Sequence, residues 1–341
     1  MAETTGSATD LEDFMSKFLV WVATVSGWTV DQSISTIDSG RQCAISKGSL
    51  FVQFRWASAS PSTIAVYQST AFVGATRAGL MTGDSGNGYN TNNSTTEANL
   101  TTERCIELLG NDAIPNYYFY TNTAGDYLHV VAEVATNEFR HFGCGNLDKF
   151  ADWDTMTGGE YAYGHAEVTA SSSTSSAICV LLDGAATSAT GASSAQDRGA
   201  TMRLAGAPGQ AGAGVWAHIW GNRTSAELND TAGNARAKVI GGARGGMIAT
   251  GLAWLGAGNT SGLAPTLPIA AWYINTTPSP AHVYLLGFMK DVRSVHLGYL
   301  APKDTFVLGG DTWRVFPTVR RTEGAAAGDT DFQGFAYNTS A

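Results

Sequence analysis

The stretch Leu50-Phe51-Val52-Gln53-Phe54-Arg55-Trp56 decides the fold class. Its even-numbered positions are all large and apolar, whereas Gln53 and Arg55 interrupt the odd ones. A period of two marks a half-buried strand with one face against a core. Working outward, similar β-rich runs occur at Ser62 to Tyr67, Asn116 to Tyr120, Leu128 to Val134, Glu138 to Phe142 and Ala177 to Leu182. Others follow at Gly214 to Trp220, Ala270 to Ile274, Val283 to Phe288 and Thr312 to Val319. Two of the junctions read as hairpins: one at Thr136 and Asn137, and one between Phe306 and Phe316 that breaks at Gly309, Gly310 and Asp311. The runs predict a mainly β fold of antiparallel sheets, either a sandwich or barrel-like, since both give the same alternation.

Upstream the period changes to that of a helix. Leu11, Phe14, Met15, Phe18, Val22 and Val25 share one helical face, Thr9 and Glu12 stand at capping-box spacing, and Gly27 closes the run. One N-terminal amphipathic helix is expected, its stripe covering either the chain's own sheet or a neighbouring subunit.

Long polar segments separate the runs, notably Thr82 to Thr102, Ala170 to Ser176 and Gly184 to Ala200. Structureless loops of that length are uncommon inside a compact domain, so long loops ordered by neighbouring molecules are expected. Composition shifts near residue 168. This divides the chain into a helix plus β-rich region, 1–168, and a Gly/Ala/Ser/Thr-rich β region, 169–341. No Pro-rich or charged linker marks the boundary, and the two regions also read as one integrated domain. No fixed-period repeat supports a propeller or solenoid.

Hydrophobic residues make up 44% of the 341 positions, as a folded globule requires, but charged residues only 14%. An average soluble domain carries about 25%. A polar surface of Ser, Thr, Asn and Gly with so few charges is suited to contact with other protein, because interface cores are depleted of charge. The net charge of -9 is opposite in sign to a nucleic-acid footprint, so no direct nucleic-acid binding is expected.

The first fifteen residues carry Glu3, Asp10, Glu12 and Asp13 without Lys or Arg, so no secretory signal is expected. No apolar run approaches the eighteen residues of a membrane-spanning helix, and no membrane insertion is expected. Cys43, Cys105, Cys144 and Cys179 are scattered without a CxxC pair, and read as free buried thiols of a protein folded in a reducing cytoplasm.

A search for chemistry yields little. Gly83-Asp84-Ser85-Gly86 resembles the nucleophile segment of chymotrypsin-like proteases, but all six histidines lie downstream of it, against that family's chain order, and a turn is the better reading. No GxSxG elbow and no Gly-Lys dipeptide occur, and the glycines between Gly206 and Gly214 lack the dinucleotide-binding spacing. His129, His141, Cys144 and His165 could meet as metal ligands on adjacent strands, but their spacing is nonspecific and no metal or cofactor is expected. The pairs Asp152/Asp154 and Asp329/Asp331 would serve glycoside hydrolysis only if a groove set their separation, and read as solvated loops. Trp153, Trp216, Trp220, Trp254 and Trp272 read as core or interface anchors before sugar platforms.

The densest constellation is Arg140-His141-Phe142-Gly143-Cys144-Gly145, then Trp153, then Gly158-Gly159-Glu160-Tyr161-Ala162-Tyr163-Gly164-His165. It resembles a segment of virion structural proteins of tailed bacteriophages. Asp84 to Asn90, Leu308 to Pro317, Gly334-Phe335-Ala336-Tyr337 and Gly27-Trp28-Thr29-Val30 are similar to other parts of that family, in the same order. The resemblance touches both ends and the middle, with little between residues 170 and 270.

What the resemblance implies is a non-enzymatic structural subunit of the virion, in the tail, baseplate or neck. Its partners would be copies of itself and other virion proteins, and it would be assembled in the host cytoplasm. No catalytic residue is carried over. Tyr117, Tyr118, Trp153, Tyr161 and Tyr163 are the candidate interface or core aromatics. A receptor-recognition module binding host-surface glycan at a tail tip or fibre is the alternative expectation. A glycan-cleaving virion enzyme is a third, resting on the carboxylate pairs alone.

Overall fold

Leu50–Ala57 is a strand, and Leu50, Val52, Phe54 and Trp56 are all buried on one face. The other face departs from the half-buried expectation, because Gln53 and its neighbours Gln42 and Ala44 are buried as well, so the sheet is covered on both sides there.

The computed structural model describes residues 3–37, 40–57, 63–69, 71–72, 105–107, 113–153, 155–167, 177–179, 200–207, 216–220, 236–240, 266–275, 282–297, 300–317 and 333–340. In chain order the first elements are β1 (Glu3–Ala8), α1 (Leu11–Val22), β2 (Thr29–Ile37), β3 (Gly40–Lys47), β4 (Leu50–Ala57), β5 (Thr63–Ser69), β6 (Cys105–Glu107), β7 (Ile114–Tyr120), β8 (Tyr127–Ala135) and β9 (Glu138–Asn146). After these come β10 (Asp148–Lys149), a 3-10 turn at Ala151–Trp153, β11 (Glu160–Tyr163), β12 (His165–Glu167), β13 (Ala177–Cys179), β14 (Ala200–Arg203), β15 (Trp216–Trp220) and β16 (Arg236–Ile240). The last are β17 (Thr266–Asn275), β18 (His282–His296), β19 (Thr305–Leu308), β20 (Asp311–Pro317) and β21 (Gln333–Asn338).

The fold is mainly β with antiparallel sheets and one helix among the described residues, and no sheet closes into a barrel. Strands β2 to β6 form a five-stranded meander in sequence order, and β12 pairs with β13. A 14-stranded sheet runs β1-β7-β8-β9-β11-β14-β15-β16-β17-β18-β21-β20-β19, with β10 joined to β18. One pair departs from the antiparallel expectation: β15 and β16 run parallel. The large sheet also crosses the compositional change near residue 168, since Tyr161 pairs with Met202. The long polar segments Thr82 to Thr102, Ala170 to Ser176 and Gly184 to Gly199 lie outside the described residues.

Both predicted hairpins are present. In the first, Ala135 pairs with Glu138, and Asn137 takes the left-handed φ of 58° that such a turn needs. In the second, Leu308 pairs with Asp311, so the turn is Gly309-Gly310 alone, with φ of 66° and 94°.

The helix begins one residue later than its capping-box spacing indicates. Asp10 is the N-cap, accepting from the Asp13 amide at 2.8 Å, and Asp13 rather than Glu12 reaches back, accepting from the Thr9 amide at 2.9 Å. The acidic pair also suits the positive end of the helix dipole. The helix ends at Val22, short of Val25, and Gly27 turns the chain at a φ of 75°.

Its apolar face packs within the chain. Phe18 meets Phe54 of the five-stranded sheet at 5.6 Å between ring centroids and Phe119 and Phe142 of the large sheet at 5.8 and 5.7 Å. Burying each such ring contributes about 1.5–3 kcal/mol. Strands β7, β8, β9 and β11 therefore form a middle layer. One face looks to the helix and the small sheet. The other, bearing Tyr118, Tyr120, Tyr161 and Tyr163, packs on Leu286, Met289, Phe316, Phe335 and Tyr337 of β18, β20 and β21.

Candidate functional site

The Arg140-to-Gly145 motif is strand β9, and alternation splits it between two layers. Phe142 and Cys144 point toward the helix, whereas His141, Gly143 and Gly145 share the opposite face. Across that face two rows run perpendicular to the strands: His129, Gly143, Tyr163 and Tyr127, Gly145, Tyr161. The glycines are a floor. A Cβ at Gly143 would meet the Leu128 carbonyl oxygen at 2.5 Å and the Tyr163 ring at 2.8 Å. Lacking one, Gly143 lets Tyr163 lie over the central strand, with its hydroxyl 2.9 Å from Nδ1 of His129.

The two histidines repeat one arrangement. Nε2 of His129 lies 3.0 Å from the Lys290 carbonyl oxygen, and Nε2 of His141 lies 2.8 Å from that of Pro317. A carbonyl only accepts, so the proton sits on Nε2 and Nδ1 accepts from a tyrosine hydroxyl. The donors are Tyr163 for His129 and Tyr337, also at 2.9 Å, for His141. Burial pushes the pKa of His129 down to about 4 and that of His141 to about 3, and both rings are neutral at pH 7. With both nitrogens engaged inside the core, each ring is a polar cross-tie from the middle layer to the opposite one.

Charged groups extend the same seam. Glu3 accepts from Tyr120 at 3.0 Å and Arg314 at 2.6 Å, joining β1 to β20. Buried Glu133 accepts from Asn116 at 2.7 Å and Lys303 at 3.0 Å. Asp126 pairs with Lys290 at 2.9 Å, and those contacts hold its carboxyl below the ordinary range despite burial. Beside Lys290, Asp291 takes a left-handed φ of 55° within β18, a conformation uncommon for a residue with a side chain.

On the helix-facing side, Glu160 and Arg203 form a buried pair. The Arg203 Nε donates to Glu160 at 2.8 Å, its Nη2 to the other carboxylate oxygen and to the Thr157 carbonyl, and Ser49 also donates to Glu160. This bidentate geometry ties the β3–β4 turn to β11 and β14.

The remaining candidates are dispersed. His141 and Cys144 are three apart on a strand, so they face opposite layers and cannot share an ion. His165 lies in β12, and among the described residues no group of His, Cys, Asp and Glu is disposed to hold a metal. Cys43 and Cys144 are free and buried, with thiol pKa values raised by burial. Tyr117, Tyr118, Tyr161 and Tyr163 are core residues, and half-buried Trp153 donates to the Leu285 carbonyl at 2.6 Å and packs edge-on against Tyr284. Asp152 is exposed, while Asp154, the Asp84-Ser85-Gly86 loop, Trp254 and the Asp329/Asp331 pair lie outside the described residues. No described helix is long and apolar enough to cross a membrane.

One surface feature carried no sequence signal of its own. β19 ends the large sheet among the described residues and carries exposed Val307 and Leu308, 71% and 41% accessible, with no charge from Thr305 to Gly310. Exposed apolar edge strands are templates for further pairing.

No protein-family model matches the chain, and no curated protein sequence matches it either.

Proposed function

We propose that this chain is a non-enzymatic structural subunit of a tailed-phage virion, a component of the tail, baseplate or neck that acts by multimeric assembly. The observation that carries the reading is the 14% charged composition of a chain whose polar motifs serve its own packing. His141, Gly143, Gly145 and Glu160, the centre of the phage-like constellation, are taken up by layer cross-ties. A chain so poor in charge suits contact with copies of itself and with other virion proteins, where few charges need be desolvated. The exposed apolar pair Val307 and Leu308 on β19, with Asp311 opposite Leu308 across the turn, is the described surface best suited to such a contact.

The test combines sedimentation of the purified full chain over a range of concentrations with fractionation of lysed host cells on a density gradient. The reading expects a discrete multimer and cofractionation with particles. A monomer at every concentration, absent from the particle band, contradicts it.

A further inference from the structure

Glu133 lies between Asn116 of β7 and Phe139 of β9, each directly opposite it across the sheet, and its side chain is only 4% exposed. Lys303, in the segment ahead of β19, reaches over from the facing layer. Its Nζ lies 3.0 and 3.2 Å from the two Glu133 oxygens and 6.0 Å from the centre of the Phe139 ring. The Asn116 Nδ2 donates at 2.7 Å to Oε2, the same oxygen that Lys303 contacts at 3.2 Å. The amine and the amide nitrogen therefore stand no further apart than those two hydrogen bonds laid end to end. Lys303 holds its place through a left-handed backbone, φ 74°, fixed by its amide donating to the Val315 carbonyl at 2.7 Å. Residues with a side chain seldom adopt that conformation, and such strain gathers where a side chain has a task.

We infer that Lys303 and Asn116 join in an intramolecular isopeptide bond, which the chain forms by itself with Glu133 as the proton carrier. An amine, a carboxamide and a buried carboxylate between them are all that amide exchange requires. Nζ attacks Cγ of Asn116, so the Nζ–Cγ bond forms as the Cγ–Nδ2 bond breaks. Nζ gives up two protons, which Glu133 hands to Nδ2. That nitrogen departs as ammonium, and Glu133 ends as the carboxylate it began as. No oxidant, metal or co-reactant is consumed. Proximity of this kind reaches effective concentrations of roughly 10⁵–10⁸ M in well-oriented pairs, which offsets the scarcity of neutral amine in a reaction that happens once per chain. Exposed Asn116 gives the ammonium a way out to solvent. The bond ties β7 covalently to the base of the β19–β20 hairpin, the sheet edge that carries Val307.

Lys290, Asp126 and Asn122 bring the same groups together, with Nζ 2.9 Å and Nδ2 3.1 Å from one carboxylate oxygen. There the carboxylate is 28% exposed, and Oδ1 of Asn122 already accepts from the Asp126 amide at 2.9 Å. A carboxylate wetted to that extent is the weaker base, so this cluster is a built-in control.

Intact-mass spectrometry of the purified full chain, followed by tandem mapping of its proteolytic peptides, tests the inference. The expected result is a chain lighter by one ammonia and a branched peptide that joins Asn116 to Lys303. Lys303→Arg, which keeps the positive charge, and Glu133→Gln should both retain the full mass. A wild-type chain of full mass after prolonged incubation at pH 9 would overturn the inference. So would loss of ammonia without that branched peptide, a branch at Lys290 and Asn122 in its place, or a link that forms unchanged in Glu133→Gln.

Discussion

Tyr163 crosses strand β9 above Gly143 and sets its hydroxyl 2.9 Å from Nδ1 of His129, so the residue without a side chain decides where the large one goes. The relationship explains the glycines of the Gly143-Cys144-Gly145 run in packing terms. Gly143→Ala would push a methyl group against the Leu128 carbonyl, which is backbone and cannot swing aside. A loss of about 1–3 kcal/mol is expected, with a reduced near-ultraviolet circular dichroism signal from the displaced tyrosine. Denaturant titration measures the first, and unchanged stability would show that the floor is not needed.

The buried histidines give an acid dependence of defined sign. An unfolded histidine takes up its proton near pH 6.5, whereas His129 and His141 in the native chain resist protonation to about pH 4 and about pH 3. Within that window the unfolded state binds more protons, so stability falls as pH falls. The slope approaches about 1.4 kcal/mol per pH unit for each ring and flattens above pH 6.5. Urea denaturation between pH 7 and pH 5 should show this slope, and His141→Gln should make it shallower by one ring's share.

The Glu160–Arg203 pair is predicted to behave as a buried ion pair. Glu160→Gln leaves the guanidinium without its counter-charge, and a loss of about 3–5 kcal/mol is expected. Combining Glu160→Gln with Arg203→Met should recover most of that loss. A double variant as unstable as the sum of its parts would show that the two do not act together.

Cys43 and Cys144 should not react with a thiol reagent in the native protein. Both are buried, with thiolate formation suppressed by desolvation. Mass-spectrometric mapping after brief labelling should find both unmodified below denaturing urea concentrations, and modified above them.

Much of the middle of the fold is legible in the sequence because it announces itself in side chains. β4 carries the period of two, β8 and β9 are β-rich runs, and the turn between β8 and β9 carries Asn137. β1 escapes such a reading because its sequence, Glu-Thr-Thr-Gly-Ser-Ala, has almost no apolar content, and it is held instead by Tyr117 packing on Gly6 and by the Glu3 carboxylate. β21 was legible only as the Gly334-Phe335-Ala336-Tyr337 motif, and its place between β18 and β20 is a long-range choice that no local pattern encodes. The helix cap moves by one residue because Asp10 and Asp13 offer the same spacing as Thr9 and Glu12 with better acceptors. Strand parity was available to rule out a His141–Cys144 metal pair. The pairing of His129 with Tyr163 was not, because it depends on register across three strands.

The central claim is assembly through a surface poor in charge, and the hairpin tip is where a single change tests it. Val307→Lys alters an exposed side chain and should move the folding stability by no more than about 0.5 kcal/mol. Analytical ultracentrifugation of the wild-type chain and this variant, at matched concentrations, is the direct measurement. The account predicts a multimer for the wild type that weakens or dissociates in Val307→Lys. A wild-type chain that sediments as a monomer throughout would contradict it.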